Sequence, residues 1–134
     1  MARILAVDFG EKRIGLATSD ASGTLATPRR TIPRRSDSAA SSELARFCRD
    51  EEVELVVFGV PAGPGGGDHP LAARIRSFAS KFAGQTGLPV KFHDETLTSD
   101  EAARRRPEAA SGELDPIAAA VLLEDYLQSV GSKP

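Results

Sequence analysis

Three short strand-like runs open the sequence, one directly after another. Arg3–Phe9 and Arg13–Ser19 flank a turn that begins after Gly10, and Thr24–Ile32 follows with Pro28 inside it. A turn this short predicts a hairpin, so the first two strands pair antiparallel. Proline cannot donate to a strand ladder, which predicts an edge position or a bulge for the third strand. The chain therefore begins with an antiparallel meander.

Beyond this meander the sequence alternates between helical spacing and apolar runs. The predicted elements are a helix from Ser36-Asp37-Ser38, a strand Val53–Val60, a loop Pro61–Pro70, a helix Leu71–Phe82 closed by Gly84 and Gly87, a strand Leu88–His93, a helix from Thr98, and a helix from Pro116 to about Val130. Such alternation predicts parallel strands covered by helices. The expected class is α/β, with a meander followed by parallel strands.

Length and charge limit the classes that fit. A chain of 134 residues fits one domain, 1–134, and a single cysteine (Cys48) excludes an internal disulfide. The apolar run that ends before Asp8 is too short for a signal peptide, so a cytoplasmic protein is expected. A net charge of −2 argues against a strongly basic coat protein, although arginines cluster at 29–35 and 104–106. Solvated surface charge is the alternative for each cluster.

Four acidic residues stand where chemistry is expected. Asp8 interrupts the first apolar run on the face of Ile4 and Ala6, where a carboxylate needs a cation, a hydrogen-bond donor or water. Capping of the Gly10 turn is the alternative for Asp8. Asp94 and Glu95 follow a strand end, where sites often assemble, and only one of them can face Asp8; a solvated turn is the alternative. Asp115 precedes Pro116 and is expected to be a helix N-cap, which is compatible with a metal ligand.

Together these acids predict a metal centre. Carboxylates from the first strand, a later strand end and a helix start would repel one another unless hard cations neutralise them, and Mg²⁺ or Mn²⁺ prefers such oxygen ligands. Two such ions can activate water and stabilise an in-line phosphoryl displacement.

Four motifs, in order, resemble those of the YqgF/RuvX family of pre-16S rRNA nucleases. They are Val7–Asp20 (VDFGEKRIGLATSD), Val57–Pro61 (VFGVP), His93–Ala102 (HDETLTSDEA) and Leu114–Leu123 (LDPIAAAVLL), and the match covers essentially the whole chain. The sequence departs from the family at Thr96, where arginine is usual, and in the glycine-rich loop 62–68, which lacks an asparagine.

The resemblance implies an RNase H-like fold, with a central mixed five-stranded sheet flanked by helices, and metal-dependent phosphodiester hydrolysis. It assigns Asp8, Glu95 and Asp115 as catalytic, Mg²⁺- or Mn²⁺-binding carboxylates, and it makes Lys12 and Arg13 candidate phosphate contacts. The implied substrate is nucleic acid, most directly the 5′ end of pre-16S rRNA, handled by a monomer or homodimer.

Three other functions remain open at this point. Similar folds resolve four-way DNA junctions, for which a symmetric dimer would be needed. The chain could be a non-catalytic nucleic-acid-binding assembly factor. Actin-like ATPases also open with an Asp-x-Gly hairpin, but they need two such domains, and 134 residues hold only one.

Overall fold

The computed structural model describes residues 3–10, 12–20, 22, 25–60, 70–94 and 111–131. In these ranges the elements are β1 (Arg3–Phe9), β2 (Arg13–Ser19), β3 (Ala26–Pro33), α1 (Asp37–Asp50), β4 (Val53–Val60), α2 (Pro70–Thr86), β5 (Val90–Asp94) and α3 (Ser111–Gly131). No helix in the described part of the chain is long and apolar enough to cross a membrane.

The five strands form one mixed sheet in the order β3-β2-β1-β4-β5. β1, β2 and β3 pair antiparallel, whereas β4 is parallel to β1 and β5 is parallel to β4. The predicted meander and parallel strands are therefore confirmed. Both predictions made from Pro28, an edge position and a bulge, are confirmed. β3 is an edge strand, and its register shifts opposite Leu16 and Ala17.

The two faces of the sheet carry different cores. Large side chains of β1 and β4 pack with α1 and α2, including the tilted and edge-to-face rings of Phe9, Phe58, Phe78 and Phe82. On the opposite face the strands contribute small residues, and Ala6 and Ala17 pack with the alanines and leucines of α3: Ala119, Ala120, Leu122 and Leu123. Leu44, Phe47 and Cys48 of α1 lie at the i, i+3, i+4 spacing of one helix face, and all three are buried.

The bounds of two strands differ from those expected. β3 starts at Ala26 rather than Thr24, because the Leu25 carbonyl accepts from the Asp20 amide at 3.0 Å and closes a turn there. It ends one residue later than expected, at Pro33. β5 starts at Val90 rather than Leu88, since the Leu88 amide donates to the Thr86 hydroxyl at 3.2 Å.

Helix boundaries differ as well. α2 begins at Pro70 and runs through Gly84 to Thr86, and the turn ends at Gly87, which has φ +75°. α3 begins at Ser111, so the prediction of a start at Pro116 with Asp115 as its N-cap is wrong. Asp115 is instead the fifth residue of the helix, and Pro116 lies inside it. The helix predicted from Thr98 and the loop 61–69 lie outside the described residues.

Candidate active site at the carboxyl ends of the parallel strands

The three parallel strands end side by side. β1 ends at Phe9, β4 at Val60 and β5 at Asp94, and the last two residues pair directly across the ladder. Side chains from the ends of neighbouring parallel strands meet at one edge of a sheet, which is where sites in α/β folds assemble.

Asp8 stands between two glycines in its row of the sheet. It pairs with Gly15 of β2, and the register of β1 with β4 continues from Val7–Phe58 to place Gly59 on its other side. Gly59 in turn pairs with His93. No side chain of an adjacent strand therefore stands beside the half-buried Asp8 carboxylate.

The row opens on the α3 face of the sheet. Val7 and Phe9 belong to the core under α1 and α2, whereas Ala6 packs beneath α3, so alternation puts Asp8 on the same face as Ala6. α3 thus covers the face on which Asp8 stands. Ala119, which packs with Ala6, lies one helical turn after Asp115.

The hairpin tip carries the two candidate phosphate contacts. The Gly10 amide donates to the Arg13 carbonyl at 2.8 Å, and the Arg34 amide donates to the Lys12 carbonyl at 2.8 Å. Lys12 is exposed, and Arg13 is half-buried at the first position of β2. The structure therefore places both cations just beyond Asp8 on a hydrogen-bonded turn.

The remaining predicted ligands are less fully described. Glu95 lies outside the described residues, and Asp94 is the last residue of β5. Asp115 lies within α3, and only its backbone is described. Among the described residues, no cluster of three or more potential metal-ligating side chains occurs. Of the three carboxylates that the sequence predicts as ligands, the structure thus positions Asp8 and the helix that carries Asp115.

A contact that the sequence does not reveal lies beside this row. His93 Nε2 is 2.6 Å from Asp125 Oδ2 of α3, and the Tyr126 ring stands edge-on to the imidazole with centroids 5.7 Å apart. The sequence predicts His93 only as the end of a strand. In the structure its side chain contacts α3 beside the candidate site.

Much of the arginine cluster at 29–35 has acidic partners. Arg29 donates to the Glu51 carboxylate at 2.8 Å and to the Thr18 hydroxyl at 3.2 Å. The hydrogen bond from Arg29 holds the pKa of Glu51 below its ordinary value. Arg34 pairs with Asp37 at 2.9 Å and lies over the Phe9 ring. These arginines fasten β3 to its neighbours. Arg104–Arg106 lie outside the described residues.

The sequence of this chain is similar to that of one protein family over nearly its whole length. Residues 2–129 match the family model described as RuvX, Holliday junction resolvase. A Chloroflexus aggregans protein named "Putative pre-16S rRNA nuclease" is 36% identical over 94% of this chain and 93% of its own length. A Streptomyces coelicolor protein of the same name is 36% identical over 95% of this chain and 80% of its own length.

Solved structures agree on the fold. RuvC of T. thermophilus, in complex with a Holliday junction substrate, has a TM-score of 0.62 at 12% identity and covers 98% of this chain and 97% of its own. The fowlpox virus Holliday junction resolvase has a TM-score of 0.60 at 16% identity over 96% and 99%. At such low identity the likeness shows the fold alone, and the predicted RNase H-like architecture is confirmed.

Proposed function

This chain belongs to the RuvX family, and from that membership we propose that it is a metal-dependent nuclease of the cytoplasm that matures the 5′ end of pre-16S rRNA. The observation that carries the proposal is the row Gly15–Asp8–Gly59, in which a half-buried carboxylate stands between two residues without side chains. A half-buried carboxylate is stabilised by hydrogen-bond donors or by a cation, and the open row beside Asp8 leaves room for a cation.

The donor set fits a hard divalent cation. Asp8, Glu95 and Asp115 offer only carboxylate oxygens, which Mg²⁺ and Mn²⁺ prefer. The choice of Glu95 rather than Asp94 follows the family motif His93–Ala102. Bound there, one or two such ions would activate water and stabilise the oxygens of an in-line phosphodiester displacement.

The residues of the chain would act by holding and orienting the substrate. Lys12 and Arg13 on the hairpin tip would contact phosphates on either side of the scissile bond, since both follow Asp8 closely and carry positive charge. α3 would shield the row from one side because it covers the face of Asp8. Water is the proposed nucleophile, with no covalent intermediate.

The experiment that tests the proposal is cleavage by the purified protein of a pre-16S 5′-leader RNA and a four-way DNA junction side by side. Each substrate is incubated with Mg²⁺ or Mn²⁺ and, separately, with chelator. Metal-dependent RNA cleavage that Asp8→Asn abolishes is the expected result, and this variant also controls for contaminating nuclease.

Junction resolution is the second candidate, because the matching family model carries the resolvase description. Cleavage of the junction alone, by a protein whose solution mass doubles on that substrate, would replace the rRNA proposal. Binding of either nucleic acid without cleavage would favour a non-catalytic assembly factor.

Asp115→Asn isolates the proposed ligand from the helix. Asp115 lies inside α3 rather than at its cap, so the substitution removes charge with little change in helix stability. We expect cleavage to fall by about a hundredfold or more while the melting temperature stays within about 2 °C, measured by gel assay and circular dichroism. Unchanged cleavage would remove Asp115 from the metal site.

A further inference from the structure

A cleft of about 430 Å³ lies at the carboxyl end of the edge strand β5, next to the row that contains Asp8. Its lining residues come from both faces of the sheet: Val60, Arg76, Phe92, His93 and Asp125. The volume falls within the range of small-ligand sites, roughly 300–1,000 Å³. His93 lies two strands from Asp8 on the same row, a distance of about 10 Å at an interstrand spacing of about 4.8 Å.

Phe92 is an aromatic side chain that solvent reaches. It is 45% exposed, and it is one of two large apolar side chains that are exposed in the described part of the chain. One side of it rests against Phe58, with ring centroids 6.4 Å apart and planes inclined by 41°. Because Phe58 is fully buried, Phe92 is supported from below and presents aromatic surface to the cleft.

Arg76 supplies the positive charge of the cleft. It is exposed on α2, and within the described ranges it has no ion-pair or hydrogen-bond partner. Arg29 and Arg34, by contrast, are bound to Glu51 and Asp37. A guanidinium without a protein partner at the edge of a nuclease site is suited to a phosphate.

The remaining wall is polar. His93 and Asp125 are joined at 2.6 Å, and the Tyr126 ring stands edge-on to the imidazole. The imidazole is thus contacted on two sides. Aromatic surface, a cation and polar side chains together match three features of a nucleotide: the face of its base, its phosphate and the polar edge of its base.

We propose that this cleft binds one unpaired nucleotide of the substrate, adjacent to the scissile phosphate, with its base stacked on Phe92 and its phosphate paired with Arg76. The inference rests on the proposed nuclease function and adds a requirement for single-stranded substrate beside the cut. A base within a duplex already stacks on its neighbours, so only an unpaired base can offer a face to Phe92.

The test is binding of a fluorescein-labelled single-stranded RNA, followed by anisotropy, in an Asp8→Asn background that removes cleavage. Phe92→Leu keeps the apolar contact with Phe58 but removes the aromatic face, and it is expected to raise Kd about tenfold. Phe92→Trp should preserve affinity. Arg76→Gln should weaken binding and reduce the slope of log K against log salt by about 0.7, as expected for loss of one single-strand phosphate contact.

Matched controls are available on the same molecule. Arg74→Gln removes another exposed charge of α2 that is not among the described lining residues of the cleft, and Leu25→Ala removes the other exposed large apolar side chain of the described residues. Both should bind as the parent does. A blunt RNA duplex should bind equally to the parent and to Phe92→Leu, because it presents no unpaired base.

The outcomes separate this inference from the proposed function. If the Asp8→Asn parent binds no nucleic acid, both fall together. If the parent binds single-stranded RNA and both Phe92→Leu and Arg76→Gln stay within about twofold of it, the nucleotide site is refuted and the nuclease proposal stands. A change of solution mass in Phe92→Leu without a change in RNA affinity would assign the surface to self-association and would also refute the site.

Discussion

Substitution of Gly10 by alanine should destabilise the domain, and the structure allows the size of the effect to be worked out. A Cβ at this position would lie 2.7 Å from the carbonyl oxygen of Arg13, the same atom that accepts the Gly10 amide at 2.8 Å. Backbone must move to relieve this contact, which costs about 1–3 kcal/mol for overpacking and about 0.5–1.5 kcal/mol for the weakened hydrogen bond. Reduced freedom of the unfolded chain returns about 0.4–1 kcal/mol. The net expectation is a loss of about 2 kcal/mol.

Gly84→Ala is the matched control. A Cβ at Gly84 meets nothing within 4 Å, and the residue lies inside α2, so alanine should stabilise by about 0.5–1 kcal/mol through helix propensity. Equilibrium urea unfolding, followed by circular dichroism, should therefore move the two midpoints in opposite directions. For Gly10→Ala a downward shift of about 1 M is expected. A Gly10→Ala midpoint equal to or above that of the wild type would refute the close-approach argument.

Three further predictions concern other parts of the molecule. Gly59→Ala adds a methyl group next to Asp8 in the row Gly15–Asp8–Gly59. It should lower the proposed metal-dependent cleavage at least tenfold while the circular dichroism spectrum stays native. Wild-type activity in this variant would show that the site does not need a residue without a side chain at position 59. The lowered pKa of Glu51 means that its stabilising contribution is complete above its ordinary pKa of 4.5 and is lost as the pH falls through the lowered value. The difference in unfolding free energy between wild type and Glu51→Gln, under about 1 kcal/mol at pH 7, should thus vanish in acid, and a difference that persists at pH 2 would contradict the assignment. Burial raises the pKa of Cys48 to about 12, so iodoacetamide should label it at pH 8 far more slowly in the native protein than in urea, as mass spectrometry would detect. Equal labelling rates in the native and unfolded protein would contradict this burial.

The sheet is predictable from sequence because its signals are local. Two-residue alternation and the apolar run Val53–Val60 identify strands without knowledge of their neighbours, and Pro28 identifies an edge. The residues at which strands start and end depend on individual hydrogen bonds, which a sequence pattern does not predict. The hydroxyl of Thr86 captures the Leu88 amide and delays β5, for example.

In the candidate site, too, some residues are predictable from the sequence and others are not. Asp8 is conspicuous because it interrupts an apolar run, and its exposure to the α3 face follows from alternation. Asp125 is not conspicuous, because it is an exposed acid on a helix and its contact with His93 spans 32 residues of sequence. The exposure of Phe92 is likewise a property of the assembled edge, since an apolar residue in a strand is expected to be covered.

The covering of β1 by α3 has a consequence for when the protein can become active during its synthesis. Asp8 and Asp115 are separated by 107 positions, and α3 packs on a face formed by the paired strands β1 and β2. At translation rates of about 5–20 residues per second, roughly 5–20 s pass between the emergence of the two carboxylates. A nascent chain therefore carries β1 and β2 for several seconds before α3 is made, and the proposed set of metal ligands, with the proposed activity, is complete only once α3 has been synthesised and has packed on the sheet.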